Sequence, residues 1–345
     1  MILAIRLGKQ ETFRRNVRSV KKKESDMIKK LLLMLLCATM LVSTAFSQGK
    51  RKRSKETKQK TVSQEVFKAE NGVLKSGIFH IRQSWSEETD YDRPVHVIVP
   101  NGDGPFPVSI MLHGRGGTGA RKLQAQRGLS DRIIIAPDGY KKGWSAQRPD
   151  VDFIRQIIKY IKTCKITDGS NIAIHGSSNG AGLLNQLMIE LEADTFHHGI
   201  CSIGGLRPER YDGTNFLWDP KGGANFTTPI EPAKGRRWLQ INGTEDKIIP
   251  YQGGKSTLGF QVLPAQNLFY LWAVHMGEKG PQLPDSAGKP HPTNEKLIIY
   301  EYLDGNFIHV KGVGSGHGVR AKEIHAIVQD FLSQPPMKAN RTTQN

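Results

Sequence analysis

Cysteine is scarce in this 345-residue chain, with only Cys37, Cys164 and Cys201 present. So few, at such spacings, define neither a disulfide framework nor a metal motif, and a fold of this size needs neither. Long hydrophobic runs are missing too. The longest apolar stretch, Leu31 to Val42, is shorter than the roughly 20 residues that span a bilayer. No internal repeat and no linker to a second globular domain is visible. Acidic residues are the third shortage, 32 against 49 Lys and Arg for a formal charge of +17. The imbalance is local. Residues 1–60 hold 17 Lys and Arg against 4 Asp and Glu, whereas the remainder holds 32 against 28. The folded part is therefore nearly balanced, which excludes a broad polyanion-binding face, and no nucleic-acid partner is expected.

The short apolar run has a context of its own. Lys29 and Lys30 precede it and Ala45-Phe46-Ser47 follows it, the n-region, h-region and small-x-small cleavage site of a secretory signal peptide. Leu36 before Cys37 argues against a lipoprotein site. Residues 1–26 make an oddly long polar leader, which points to initiation at Met27. The expectation is a leader and signal peptide over 1–47 and a secreted or periplasmic product with no stable membrane anchor. A basic disordered tail is expected over 48–70, since Gly49 to Lys60 carries seven Lys and Arg and one Glu. One folded domain over 71–335 and a disordered end over 336–345 complete the expected organisation.

Within that domain the pattern alternates. Gly77 to Trp85 and Pro94 to Pro100 read as an antiparallel opening pair. Phe106 to Leu112, Arg132 to Ala136, Asn171 to His175, Gly199 to Ile203 and Trp238 to Asn242 read as buried strands. Helices are expected from Asp150, after Gly180, over Leu263 to Met276, and late in the chain through Ile324, Ile327, Val328 and Phe331. Lys296 to Leu303 and Asn306 to Val310 read as a further strand pair. Strand–helix alternation of this kind predicts an α/β fold, a mostly parallel, doubly wound sheet with helices on both faces. Leu206 to Gly235 breaks the rhythm, being rich in Gly, Pro, Asn and Asp without either period. It is expected to lie over the carboxyl edge of the sheet.

The organising stretch is Asn171 to Gly182, N-I-A-I-H-G-S-S-N-G-A-G. A buried strand runs into G-x-S-x-G and then into a helical stripe, Leu183, Leu184, Leu187, Met188 and Leu191. That arrangement sets Ser178 on a strained strand-to-helix turn with its hydroxyl exposed. A serine hydroxyl needs a base and an orienting group before it is a useful nucleophile. Of eleven histidines, His317 alone sits in a flexible glycine-rich loop between the last strand and the last helix. Asp246 follows a strand in Gly243-Thr244-Glu245-Asp246, with Glu245 and Asp304 as rivals. Ser178, Asp246, His317 is the chain order of α/β-hydrolases. Two backbone N–H groups are candidates to meet an oxyanion, those of Asn179 and Arg115, each such donor being worth roughly 3–4 kcal/mol.

These blocks carry a specific resemblance. Leu112-His113-Gly114, Gly143-Trp144 with Asp150-Val151-x-Phe153-Ile154, His175-Gly176-Ser177-Ser178-Asn179-Gly180, Gly243-Thr244-Glu245-Asp246 with Pro250-Tyr251-x-Gly253-Gly254, and Gly316-His317 are similar to the α/β-hydrolase superfamily. Within it they resemble the esterases that include polyhydroxybutyrate depolymerases and feruloyl or acetylxylan esterases. The resemblance departs at Arg115, where members often have Cys, and at Gly318-Val319-Arg320, where an aromatic residue is common. It implies a serine carboxylic-ester hydrolase that needs no cofactor and no metal. The expected substrates are short-chain or aromatic esters, small or linked to polysaccharide, with Trp144, Trp218 and Phe216 as apolar walls of the pocket. A polyhydroxyalkanoate depolymerase and a serine peptidase of the same fold are the alternatives.

Overall fold

The computed structural model describes residues 74–125 and 129–337. The leader and signal peptide expected over 1–47, the tail expected over 48–70 and residues 338–345 lie outside the described residues. The described part opens with a hairpin, β1 (Gly77–Trp85) and β2 (Glu88–Ile98), followed by β3 (Phe106–Leu112), α1 (Gly119–Ala125) and β4 (Ile133–Pro137). Then come α2 (Asp150–Thr163), β5 (Thr167–Ser177), α3 (Asn179–Glu190) and β6 (His198–Ser202). The stretch that breaks the rhythm, Leu206 to Gly235, holds a small hairpin, β7 (Phe216–Trp218) and β8 (Thr228–Ile230), before β9 (Arg237–Gly243). A two-residue pair, β10 (Gly254–Lys255) and β11 (Gln261–Val262), leads to α4 (Ala265–His275). The end comprises β12 (Lys289–His291), β13 (Asn294–Tyr302), β14 (Phe307–Gly312) and α5 (Glu323–Ser333).

Ten strands form one sheet in the order β1-β2-β4-β3-β5-β6-β9-β14-β13-β12. The six central strands from β4 to β14 run parallel. Antiparallel strands flank them at both edges. This is the α/β-hydrolase fold. The central strands are hydrophobic on both faces because helices cover both. Val108, Ile110 and Leu112 of β3 point to one core with Ile157, Leu184 and Trp272 from α2, α3 and α4. Met111 points to the other, which α5 closes with Phe331 and Leu332. A side chain of this kind gains roughly 1.5–3 kcal/mol from full burial, so single-residue alternation is enough to set the register.

Because the central strands are parallel, the loops after β3, β5, β6, β9 and β14 all leave from the same edge of the sheet. That shared edge is where α/β sheets hold their ligands. A buried ion pair organises one side of it. Arg93 of β2 meets Asp150, the first residue of α2, at 2.7 Å, each side chain being 1% exposed. The second carboxylate oxygen accepts the Ser145 amide at 2.7 Å. The guanidinium donates to Gln83 Oε1 and stacks 3.7 Å from the Phe153 ring. Burial pulls the Arg93 pKa down and Asp150 opposes that pull. Asp150 therefore clamps the Trp144–Ser145 segment to the sheet as well as opening a helix.

Removing one partner of such a pair leaves an uncompensated buried charge. Asp150→Ala should cost about 3–5 kcal/mol in urea unfolding, and the double variant Arg93→Met/Asp150→Leu should recover most of it. A loss below about 1 kcal/mol in the single variant would show that the charge reaches water and that the clamp is not structural.

Candidate active site

Ser178 lies between β5 and α3 with φ 51° and ψ −114°, a region that costs a non-glycine residue on the order of 1–3 kcal/mol. The motif's glycines are explained by contact. A Cβ on Gly176 would sit 2.5 Å from the Gly180 carbonyl oxygen, and one on Gly180 would sit 2.5 Å from that of Leu112. No larger residue lets the turn close this tightly. The Ser178 amide donates to the Ser202 carbonyl at 3.0 Å, and its carbonyl accepts from Gly182 at 3.0 Å.

The three expected partners come together. His317 Nε2 is 2.9 Å from Ser178 Oγ, and His317 Nδ1 is 2.8 Å from Asp246 Oδ2. The other Asp246 oxygen accepts the amides of Ile248 at 2.8 Å and Ile249 at 2.9 Å. Its carboxylate is 1% exposed and the His317 ring 24%. With Nδ1–H donating to the carboxylate, Nε2 is left as an acceptor for the serine proton. The rivals fall elsewhere. Glu245 is exposed, and Asp304 lines a different cavity with Glu301 and Phe331.

The loops after β9 and β14 are laced together. Thr244 and Glu245 donate their amides to Gly312 and Ser315 at 3.0 and 2.9 Å, and Gly314 returns one to Thr244 Oγ1 at 2.8 Å. Gly243 permits this, since a Cβ there would lie 2.3 Å from the Ser315 oxygen and 2.4 Å from that of Gly316.

Asn179 opens α3, where the first amides have no intrahelical acceptor. Neither its amide nor that of Arg115 donates a hydrogen bond among the described residues. The Asn179 side chain has a separate task. Its Oδ1 accepts the Trp144 amide at 2.7 Å and its Nδ2 donates to the Trp144 carbonyl at 3.1 Å. Trp144 in turn donates Nε1–H to the His113 carbonyl at 2.8 Å. His113 donates from Nδ1 to the Gly114 carbonyl at 2.8 Å and accepts the Gly139 amide at Nε2 at 2.9 Å. Burial lowers its pKa, in keeping with a neutral ring fixed in that tautomer. The His113-Gly114-Arg115 loop is thus tied to the first residue of α3.

A cavity of about 760 Å³ opens over Ser178. Its lining includes Arg115, Trp144, Asn179 and His317, as expected, with apolar walls from Leu183, Leu206, Phe226, Ile249 and Phe260. Phe216 and Trp218 are not among them, contrary to the expectation. Phe216 is 4% exposed and stacks on Trp272 of α4 at 4.4 Å, and Trp218 packs against the same core. The β7–β8 hairpin spends its aromatic residues on that core, and Phe226 and Leu206 from the same insertion reach the cavity instead. Lys122 of α1, which no sequence pattern singles out, donates from Nζ to Ser177 Oγ at 2.8 Å. Burial lowers its pKa. A seven-residue helix carries too little periodicity to announce itself. His175, just before the turn, is buried, and its pKa lies well below the usual value because of burial. Cys164 and Cys201 are free and buried. Among the described residues no His, Cys, Asp and Glu group is suited to hold a metal, and no helix is long and apolar enough to cross a membrane.

No family model and no curated protein matches the chain. Among solved structures it is similar to an acetyl xylan esterase from Aspergillus awamori, at 15% identity and TM-score 0.49, over 70% of this chain and 93% of that one. It is similar to a carboxylesterase from Mesorhizobium loti at 16% identity and TM-score 0.43, over 70% and 95% of the two chains. A poly(3-hydroxybutyrate) depolymerase from Bordetella parapertussis gives 16% identity and TM-score 0.37, over 48% of this chain and 64% of that one.

The contact at Gly243 generates a test. Gly243→Ala forces the loop after β14 away from that after β9 and lengthens the reach from His317 to Ser178. A shift of about 1 Å in such an array costs roughly 100-fold, so fluorophosphonate labelling of Ser178 should slow by that order while the far-ultraviolet circular dichroism is kept. Labelling at the wild-type rate would show that the two loops are not coupled.

Proposed function

We propose that the chain is a secreted serine carboxylic-ester hydrolase that works through an acyl-enzyme. The observation that carries this reading is the unbroken hydrogen-bonded series from Ser178 through His317 to Asp246, presented by a strained serine at the floor of a cavity. Ser178 Oγ attacks the ester carbonyl as its proton passes to His317 Nε2. Asp246 keeps the other ring nitrogen protonated and steadies the imidazolium. The carbonyl oxygen becomes an oxyanion facing the Asn179 and Arg115 amides, which have no competing acceptor. Collapse breaks the bond to the alcohol oxygen, and His317 returns the proton to that leaving group. Water then repeats the sequence on the acyl-serine: His317 takes its proton, the carboxylic acid departs and Ser178 regains its hydrogen. No step calls for a metal or cofactor.

The apolar walls formed by Leu183, Leu206, Phe226, Ile249 and Phe260, with Trp144 beside the serine, favour a short acyl chain or an aromatic ring. A volume near 760 Å³ falls in the range of small-molecule sites. Short-chain and aromatic esters, including those on polysaccharides, are the proposed substrates. The proposal includes export through the signal peptide read between Met27 and Gln48.

Ser178→Ala should abolish both turnover of 4-nitrophenyl acetate and fluorophosphonate labelling, with the fold retained. Asp246→Asn should lower kcat by roughly 10⁴-fold through the wrong imidazole tautomer, with Glu245→Gln mild by comparison. Labelling lost in Ser177→Ala but kept in Ser178→Ala would mean that the turn presents the other serine. Intact-mass measurement of exported protein should place its first residue near Gln48, and a mass that includes Leu31 to Val42 would rule cleavage out.

A further inference from the structure

We propose that the ester hydrolysed at this site carries an anionic group, a carboxylate or a sulfate, held by Arg115 and Arg207 on either side of Ser178. This rests on the ester-hydrolase reading and adds the charge of the substrate to it. Three arginines, Arg115, Arg207 and Arg210, line the Ser178 cavity, and no Asp or Glu shares the lining. They differ in what already satisfies them. Arg210 is buried, pairs with Glu190 at 2.7 Å and lies 4.1 Å from the Phe226 ring, so its charge is matched and its role is to hold that wall. Arg207 is exposed, and its partner Glu209, two residues on, is exposed as well. Solvent-exposed pairs of this kind are weak and readily exchanged. Arg115 is exposed and its side chain has no hydrogen bond or ion pair among the described residues.

Topology sets the two available arginines around the serine. Arg115 follows β3, Ser178 follows β5 and Arg207 follows β6, and these strands are neighbours in that order. The loops that bear them therefore leave the sheet on either side of the serine turn, and both arginines line the cavity that holds Ser178. Lys122 lies behind the lining, its Nζ bonded to Ser177 Oγ at 2.8 Å. Asp246, behind the serine, is buried and already bonded to His317, Ile248 and Ile249. Glu190 is taken up by Arg210, and Glu209 holds Arg207 only through an exposed pair, so an entering anion meets no free acid in the lining. The guanidinium fork fits two oxygens of a carboxylate or sulfate at once. The apolar walls opposite suit the remainder of the molecule. The substrate class is thus an ester with one apolar or aromatic part and one anionic group close to the bond cleaved, as on a uronate, a sulfated sugar or an aromatic half-ester.

The test compares matched esters on the full exported chain. On the alcohol side, 4-acetoxybenzoate and 4-acetoxybenzenesulfonate are set against neutral 4-acetoxybenzamide, which separates carboxylate from sulfate. On the acyl side, monomethyl terephthalate is set against methyl 4-carbamoylbenzoate. Each rate is divided by the rate of alkaline hydrolysis. In at least one series, kcat/KM should favour the anion by about tenfold at about 0.05 M salt and fall towards parity near 0.5 M. Arg115→Gln and Arg207→Gln should each lower that ratio by about fivefold. A ratio near one in wild type in both series, or a preference that survives both substitutions, overturns the inference and leaves the hydrolase reading standing. If no ester of either series is turned over and Ser178 is not labelled, the hydrolase reading fails and takes this inference with it.

Discussion

The site depends on one close approach, that of the turn at Ser178 to the end of β3. The backbone at Gly180 packs against the Leu112 and His113 carbonyls with no room for a side chain, and Gly176 packs against Gly180 and Ala181 in the same way. Only that contact allows Ser178 to keep a positive φ with its hydroxyl turned towards the cavity. The strain is local and its support is distributed. The amide of Ser178 is tied to β6, and α3 carries Leu183, Leu184, Leu187 and Met188 into the core. The far end of the helix is held as well. Arg236, 1% exposed, donates to the carbonyls of Met188, Leu191 and Glu192. Burial lowers its pKa to about 10, so it remains charged at neutral pH beside the negative end of the helix.

A second layer fixes what surrounds the serine. Asn179 serves twice: its backbone amide stays open at the mouth of α3 while its side chain mimics a peptide group against Trp144. Trp144 reaches His113, and the neighbouring Ser145 reaches Asp150 and so Arg93 on the edge hairpin. Displacement of the hairpin would therefore be felt at the loop that bears Arg115. His317 and Asp246 are fixed differently, by direct lacing of two loops with backbone groups. The serine side is held by packing and a buried ion pair, the histidine side by hydrogen bonds between loops that only a glycine at 243 allows to meet.

The parts of this arrangement that were legible in the sequence share a cause. Strands such as Phe106–Leu112, the stripe of α3 and the glycines around Ser178 are set by neighbours along the chain, through side-chain period and backbone sterics. His317 and Asp246 could be picked out because each sits just past a strand end, and in a parallel sheet all such ends meet on one edge. Chain order alone thus implied that the three residues converge, and the structure supplies their distances.

What the tertiary structure decided is which residues surround them. Phe216, Trp218 and Phe226 belong to one insertion and look alike in composition. The first two pack with the core that includes Trp272, more than fifty residues away in the chain, whereas Phe226 stacks under Arg210 and faces the cavity. Lys122 meets Ser177 across 55 positions, and Arg93 meets Asp150 across 57. No period encodes such pairings, because they are chosen by competition among distant surfaces for burial and for a charge partner. The sequence by itself determined the α/β layering, the strained turn and which Ser, His and Asp meet at the sheet edge, since these follow from local sterics and the parallel sheet. The walls and the charge of the cavity were settled only in three dimensions, where long-range packing decides which side chains are buried and which remain to meet a substrate.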